Sequence, residues 1–267
     1  MTRIQALLRK ELIDLHQNPG LFVPAALTGA LSIFLPFFVA ILVPWATGER
    51  LSDSGDLQFA LELTRTEPLM RGLGPEAAVQ AWVFQQFLIL LVLSPVAGAM
   101  SVAASSVIGE KQARTLEPLL ATPVTTFELL AAKVLGALVP AVALTLGSYA
   151  VYLALVAAFA EPGVLRSLLG LRPLAVVLLL GPLASLTALQ MAVCVSSRVN
   201  DARSAQQIGA LLILPIAGLL IMQVMGSLVL TLPLVLAIAL GLAVLDVGLM
   251  RLGIALFDRE TILTRWK

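Results

Sequence analysis

The chain has 267 residues, of which 59% are hydrophobic and only 12% are charged, and its mean hydropathy is +0.99. Soluble globular domains average about 25% charged residues, so the composition excludes an ordinary soluble domain. A net charge of +1 provides no basic stripe for nucleic acid, and no nucleic-acid partner is expected. The single cysteine, Cys194, excludes an internal disulfide, and the single histidine, His16, excludes a paired-histidine zinc motif. We therefore expect a membrane protein. These counts do not exclude a metal site with oxygen ligands, but no cluster of carboxylates suggests one, and no metal is expected.

The first predicted element is an amphipathic helix at the N-terminus. Within residues 3–15, leucine and isoleucine recur at helical spacing, whereas the charged residues lie mostly elsewhere around the axis. This pattern is typical of a helix lying along a membrane surface, and it predicts an interfacial helix within residues 1–19. A frayed, charged terminus is the alternative. The apolar run that follows begins only near Leu21 and is too long for a cleaved signal peptide.

Five blocks of the chain contain no Asp, Glu, Lys or Arg, and each exceeds the roughly 20 residues that a transmembrane helix needs. These blocks are residues 15–48, 77–109, 134–160, 173–197 and 204–245. The last would be roughly 63 Å long as one helix, about twice the thickness of the hydrocarbon core. It must therefore fold back, and Gly226, Ser227 and Pro233 offer the break. The sequence predicts an all-α membrane protein, a bundle of six transmembrane helices in one domain over residues 1–267.

The distribution of basic residues predicts the orientation, because Lys and Arg favour the cytoplasmic side. With a cytoplasmic N-terminus and six spans, 12 of the 17 basic residues lie inside and 5 lie outside. Five spans would instead place the basic stretch 251–267 outside, against this bias. We predict that both termini and residues 109–133 are cytoplasmic, and that residues 46–80 form an extracytoplasmic loop. A solvated linker with one or two short surface helices fits the loop better than a substrate-gating cap.

Residues 109–133 form a short charged segment between two long uncharged ones. Its first part can be helical, with leucines grouped on one side. Pro118 and Pro123 then interrupt it, because proline lacks a backbone donor and disfavours helix at the preceding residue. Thr125 and Glu128 fit a capping box that restarts a helix leading into the third span. Such a broken pair of helices favours a docking surface for a partner, and burial of the leucines in the lipid interface is the alternative.

The same segment carries a family pattern: an acidic residue, a Thr-Leu pair, a Leu-Leu pair, Thr-Pro and a lysine that opens the next span. In this chain these positions are Glu110, Thr115-Leu116, Leu119-Leu120, Thr122-Pro123 and Lys133. Supporting stretches are 8–12, 196–207 and 256–260. Together they resemble the permeases of ABC-2 type exporters (the type-2 exporter class) along the whole chain, and most closely the bacterial sodium-exporter-like permease subunits.

The resemblance implies a half-transporter in the bacterial cytoplasmic membrane. In that family two six-span permeases pair, as homodimer or heterodimer, and each binds a separate cytoplasmic ATPase subunit. Residues 109–133 would carry force from the ATPases, with coupling assigned to Glu110, Arg114, Thr115, Leu116, Glu117, Leu119, Leu120 and Pro123. The chain contains no Gly-Lys pair and hence no P-loop. ATP and magnesium would therefore bind the partner, and this chain would be neither an enzyme nor a cofactor-binding protein.

Polar residues inside the spans are candidates for a substrate path, since they are costly in lipid. They are Gln85, Gln86, Ser148, Tyr152, Gln190 and Gln223. Hydrogen bonding between helices is the alternative role for them. Asp246 and Arg251 are expected to snorkel or to pair locally near the cytoplasmic end of the sixth span. Prolines 24, 36, 44, 95, 140, 182 and 215 favour kinked helices.

The leading hypothesis from the sequence is thus the membrane subunit of an ATP-driven exporter whose uncharged spans suit a lipophilic or amphiphilic substrate. Sodium or another ion, held by backbone and hydroxyl oxygens, stays open as the alternative substrate. A non-transporting scaffold or sensor driven by an ABC ATPase would keep the same segment and stays open. An intramembrane hydrolase would need a buried nucleophile and base on facing spans. The lone histidine lies before the first span, which argues against such an enzyme.

Overall fold

The computed structural model describes residues 3–53, 61, 70, 72–112, 125–196, 207, 211 and 213–256. Every regular element within these residues is helical, which confirms the all-α class. The helices are α1 (Arg3–Gln17), α2 (Val23–Thr47), α3 (Pro75–Gln112), α4 (Thr126–Phe159), the short α5 (Val164–Leu168), α6 (Leu171–Ala175, Val176–Leu180 and Gly181–Ser196), α7 (Ile213–Val224) and α8 (Leu232–Leu256). Two 3₁₀ turns, Pro19–Phe22 and Leu51–Asp53, flank α2.

Five of these helices are long and apolar enough to cross a membrane: α2, α3, α4, α6 and α8. Helix α7 has 12 described residues and falls short of a span, so the sixth crossing remains a prediction. The predicted break in the long apolar block is confirmed. Helix α7 ends at Val224, Gly226 adopts a left-handed conformation with φ 71°, and α8 begins at Leu232. The Ser227 amide and hydroxyl both donate to the Met222 carbonyl, at 3.0 and 2.9 Å.

Helix α3 is the centre of the bundle. It contacts α2, α4, α5, α6 and α7, and 83% of its most apolar stretch is buried within the protein. The corresponding stretch of α8 is only 17% buried and that of α2 only 22%. The exposed residues of α2 and α8 include many leucine, valine and phenylalanine side chains, so these two helices form an apolar periphery of the bundle.

Helices α2 and α3 approach closely through small residues. The Ser94 hydroxyl donates to the Ala25 carbonyl at 2.9 Å, and the Ser32 hydroxyl donates to the Leu90 carbonyl at 2.8 Å. A Cβ atom on Gly98 would lie 2.7 Å from the Cβ of Ala25, so only glycine fits there at this separation. In lipid, burial of apolar side chains does not drive helices together, because the lipid tails are equally apolar. Close packing of small residues and hydrogen bonds between helices stabilise the contact instead.

Two π-turns interrupt the helices, and each is followed at the second residue by proline. They are Phe38–Leu42 before Pro44 in α2 and Val176–Leu180 before Pro182 in α6. Each proline has no N–H for the carbonyl four residues earlier, which belongs to the middle residue of the π-turn. The residue directly after each π-turn bonds back five positions, to the first residue of the turn. The prolines thus widen the helix locally, as π-bulges do. Three further prolines do not follow a π-turn, namely Pro36 in α2, Pro95 in α3 and Pro140 in α4.

Candidate functional site

Two long helices frame the predicted coupling segment. Helix α3 extends to Gln112, so Glu110 lies in its last turn, and α4 starts at Thr126. The predicted capping box is confirmed. The Glu128 amide donates to the Thr125 hydroxyl at 3.2 Å, and the Thr125 amide donates to the Glu128 carboxylate at 2.8 Å. The other proposed coupling residues lie outside the described residues: Arg114, Thr115, Leu116, Glu117, Leu119, Leu120 and Pro123.

The N-terminal helix α1 is fixed to the start of α4. Lys133 Nζ lies 3.3 Å from Glu11 Oε1, and the two side chains are only 4% and 12% exposed. Gly136, one turn further along α4, permits this approach, because a Cβ there would lie 2.8 Å from the Cβ of Glu11. The lysine that opens the third span is therefore held by α1. Whether α1 lies at a membrane interface stays a prediction.

Three of the six residues of the predicted substrate path meet between α3 and α7. Gln223 Nε2 donates to Gln86 Oε1 at 2.8 Å. On the adjacent position of α3, Gln85 Nε2 donates to the Ser167 carbonyl of α5 at 3.1 Å. The amide oxygens of Gln85 and Gln223 are buried and have no hydrogen-bond partner. In this cluster Gln85 and Gln223 each donate one hydrogen bond through the NH₂ group, and neither accepts one at its amide oxygen.

A small cavity lies beside this amide cluster. The volume available to the centre of a water-sized group is about 10 Å³, which is enough for one water molecule or one hydroxyl group. Polar and apolar side chains of α3 and α6, together with residues from α7 and the α7–α8 connection, surround it. The lining residues are Gln85, Leu88, Ile89, Arg172, Pro173, Val176, Gln223 and Leu230.

The other three predicted path residues do not line this cavity. The Tyr152 hydroxyl donates to the Phe84 carbonyl at 2.8 Å, and the two rings meet edge to face at 5.8 Å between centroids. Ser148 packs against α2, where its hydroxyl lies 3.0 Å from the position that a Cβ on Gly29 would take. Gln190 is buried in α6, and its amide oxygen has no hydrogen-bond partner. Tyr152 and Ser148 thus make packing contacts between helices.

Asp246 is buried, contrary to the expectation that it snorkels. Its side chain is 5% exposed, and its Oδ1 accepts a hydrogen bond from the Thr187 hydroxyl of α6 at 2.7 Å, while Oδ2 has no partner. The alternative expectation is local pairing, and the structure instead gives Asp246 a hydrogen-bond partner 59 residues away in the sequence. Arg251, in contrast, is exposed. The sequence did contain a signal for the burial of Asp246, because this is the only acidic residue in the apolar helix α8.

A wide cleft opens at the other end of the bundle, where α2 ends and α3 begins. Its empty volume is about 1410 Å³. Glu76 accepts hydrogen bonds from the amides of Leu51 and Ser52 at 3.3 and 3.0 Å, and Gln80 accepts one from the Glu161 amide at 2.9 Å. The Glu76 contacts fix Leu51 and Ser52 onto the first turn of α3, which begins within the 46–80 segment, and the Gln80 contact joins α3 to the α4–α5 connection.

Comparison with known proteins identifies the family. Residues 74–242 match the family model described as ABC-2 family transporter protein, a stretch that begins just before α3, includes the coupling segment and ends within α8. The chain belongs to the ABC-2 transporter family. With its long apolar helices, this ABC-2 protein is a multi-pass membrane transporter permease subunit, and permeases of its family generally work with ABC ATPase partners. No curated protein and no solved structure gives a match. The sodium-exporter-like subtype stays a prediction.

Proposed function

We propose that this ABC-2 permease is the membrane subunit of an ATP-driven exporter in a bacterial cytoplasmic membrane. It pairs with a second permease chain, and the pair binds two separate cytoplasmic ATPase subunits that hold the ATP and magnesium. Both termini and residues 109–133 face the cytoplasm. The observation that carries the proposal is the family match across residues 74–242, which includes the predicted coupling segment.

The lengths of the flanking helices support this role for the segment. Helix α3 has 38 residues and α4 has 34, which correspond to about 57 and 51 Å at about 1.5 Å per residue. A hydrocarbon core is about 30 Å thick. Both helices are therefore long enough to extend beyond the bilayer, so that the segment between them can reach a cytoplasmic ATPase.

The described contacts suggest how force would spread from the segment. Since α1 is tied to the first turns of α4 by the ion pair between Glu11 and Lys133, the two helices would move together. Helix α3 would carry the displacement in the other direction, from Glu110 towards the amide cluster. In the proposed cycle, ATP binding closes the ATPase pair, moves the two coupling segments and rearranges the helices of both permeases.

Co-purification with a candidate ATPase from mild detergent tests the coupling assignment. The wild-type chain should yield a stoichiometric complex, and Leu116→Asp with Leu120→Asp should lose it. A matched control carries Leu57→Asp with Leu63→Asp, which changes the same residue type in the predicted extracytoplasmic loop and should keep the complex. Thermal unfolding and membrane insertion of all three proteins verify that each is folded.

Recovery of no ATPase with the wild-type chain would refute the proposal, as would equal loss of the complex in both double variants. Transport is then measured with the complex in liposomes, in which the ATPase side faces the outer medium. ATP added outside should drive an amphiphile into the liposomes. A complex that hydrolyses ATP without such flux would instead favour the scaffold or sensor.

A further inference from the structure

The two glutamines of the amide cluster whose amide oxygens are unsatisfied both line the small cavity beside it. Gln85 and Gln223 are 9% and 4% exposed. Each NH₂ group donates one hydrogen bond, the first to the Ser167 carbonyl and the second to Gln86, whereas neither amide oxygen accepts any. A buried acceptor without a donor is costly. The cavity therefore favours a ligand group that donates a hydrogen bond.

The charges around the cavity narrow the chemical class of this donor. Arg172 is a lining residue of the same cavity, and no carboxylate of the described residues lines it, so the lining offers no counter-charge to an ammonium or other cationic donor. An anion is disfavoured by the two amide oxygens, which would face it with their negative ends. An uncharged hydroxyl avoids both conflicts, because it donates one hydrogen bond and retains two lone pairs to accept others.

The size and the walls of the cavity define the rest of the ligand. About 10 Å³ is available to the centre of a water-sized group, enough for one hydroxyl. The empty space at this partly open site totals about 270 Å³, so carbons next to the hydroxyl can also lie against the walls. The other walls are apolar and include Leu88, Ile89 and Leu230. An alkyl chain attached to the hydroxyl would therefore meet hydrocarbon side chains.

We propose that the cavity between Gln85, Gln223 and Arg172 binds the hydroxyl group of an uncharged amphiphile. The hydroxyl donates to one of the two amide oxygens, and the first carbons of the chain lie against the leucine and isoleucine side chains. In the proposed orientation the site lies in the outer half of α3. Only the further statement that such an amphiphile is the exported substrate depends on the proposed function; binding itself does not.

Photolabelling of the permease alone, in phosphatidylcholine nanodiscs, tests the site. The probe is an octanol with a diazirine on its alkyl chain, and the comparison probe is the matching alkyl fluoride, in which fluorine takes the place of the hydroxyl at similar size but cannot donate. Mass spectrometry identifies the labelled residues. The alcohol should label residues of the cavity wall, such as Leu88 or Leu230, at a concentration roughly two- to tenfold lower than the fluoride, as expected for one net hydrogen bond.

Two substitutions test whether the preference for the alcohol probe arises at this cavity. Gln85→Met removes one acceptor and should reduce the difference between the two probes, whereas Gln190→Met changes a buried glutamine outside the cavity lining and should leave it unchanged. Equal labelling by both probes in the wild-type protein, or no label on the cavity wall, would overturn the proposal. This comparison remains decisive if a variant fails to fold. Since no ATPase is present, the result is independent of the co-purification experiment.

Discussion

One added methyl group at Gly98 tests whether close packing of small residues holds α2 against α3. Its Cβ would lie 2.7 Å from the Cβ of Ala25 and 3.9 Å from that of Ala141. Neither alanine can rotate away, so the helices must separate and strain the nearby hydrogen bond from Ser94 to the Ala25 carbonyl. Over-packing costs about 1–3 kcal/mol, while alanine gains about 1 kcal/mol over glycine in a helix. Gly98→Ala should lower the free energy of unfolding by up to about 2 kcal/mol.

Gly147→Ala provides the matched control. Gly147 is exposed within α4, and a Cβ there meets no atom within 4 Å, so this variant should gain up to about 1 kcal/mol of unfolding free energy. The helix-propensity gain is common to both variants. Their difference in unfolding free energy therefore reports the packing penalty alone, about 1–3 kcal/mol.

Equilibrium unfolding in mixed detergent micelles, followed by far-ultraviolet circular dichroism, measures these free energies. A double-mutant cycle with Ala25→Gly adds a rescue, because that change removes the methyl group that Gly98→Ala would strike. The cycle should give a coupling energy of about 1–3 kcal/mol. If Gly98→Ala is as stable as Gly147→Ala, or if the coupling energy is near zero, the close-packing argument is wrong.

Three further substitutions are expected to change the unfolding free energy in the same assay. Thr125→Ala removes the cap of α4 and should cost about 1 kcal/mol, whereas Thr125→Ser should retain most of it. Glu11→Gln removes the charge that faces a buried lysine and should cost about 1–3 kcal/mol, while Asp14→Asn, at a more exposed ion pair with Lys10, should change stability by less than about 1 kcal/mol. Thr187→Val leaves the Asp246 carboxyl without its donor and should cost about 1–3 kcal/mol. An unchanged unfolding free energy would contradict the buried hydrogen bond between Thr187 and Asp246.

Local sequence signals predicted several features correctly. The capping box of Thr125 and Glu128 depends on residues three apart, so the side chains can meet only if the helix starts there. The break near Gly226 followed from length, since the apolar block is about twice as long as a bilayer is thick. Composition indicated helices because, in lipid, a helix satisfies all its backbone hydrogen bonds within one segment.

Contacts between distant residues were beyond the reach of the same reasoning. Gln86 and Gln223 are 137 residues apart, and Glu11 and Lys133 are 122 apart. Each residue could be recognised as costly in lipid, but periodicity cannot show which helix faces which. Only the structure therefore shows which of the six candidate path residues lie close together. Three meet near one cavity, and Tyr152 and Ser148 instead pack helices together.

The effect of each proline on its helix could not be predicted from the local sequence either. It removes one hydrogen bond from a helix, but the surrounding packing decides whether the helix bends, widens or continues. Pro44 and Pro182 follow π-turns, whereas Pro95 lies inside the unbroken α3. The sequences around the three prolines are similarly apolar, and nothing local separates them.

Helix α3 gives the proposed transport cycle a direct mechanical connection. Gln85 and Glu110 lie on this one helix, 25 residues apart along the printed sequence, which corresponds to about 38 Å. No π-turn or loop interrupts it, and its burial ties it to five neighbouring helices. A displacement applied at Glu110 must therefore either shift the cavity wall at Gln85 or bend the helix at Pro95, where a backbone hydrogen bond is lost. Replacing Pro95 with alanine restores that bond and stiffens the helix, so it should preserve or strengthen the coupling between ATP hydrolysis and amphiphile flux in the reconstituted complex. A loss of flux with unchanged ATP hydrolysis would show that α3 works by bending.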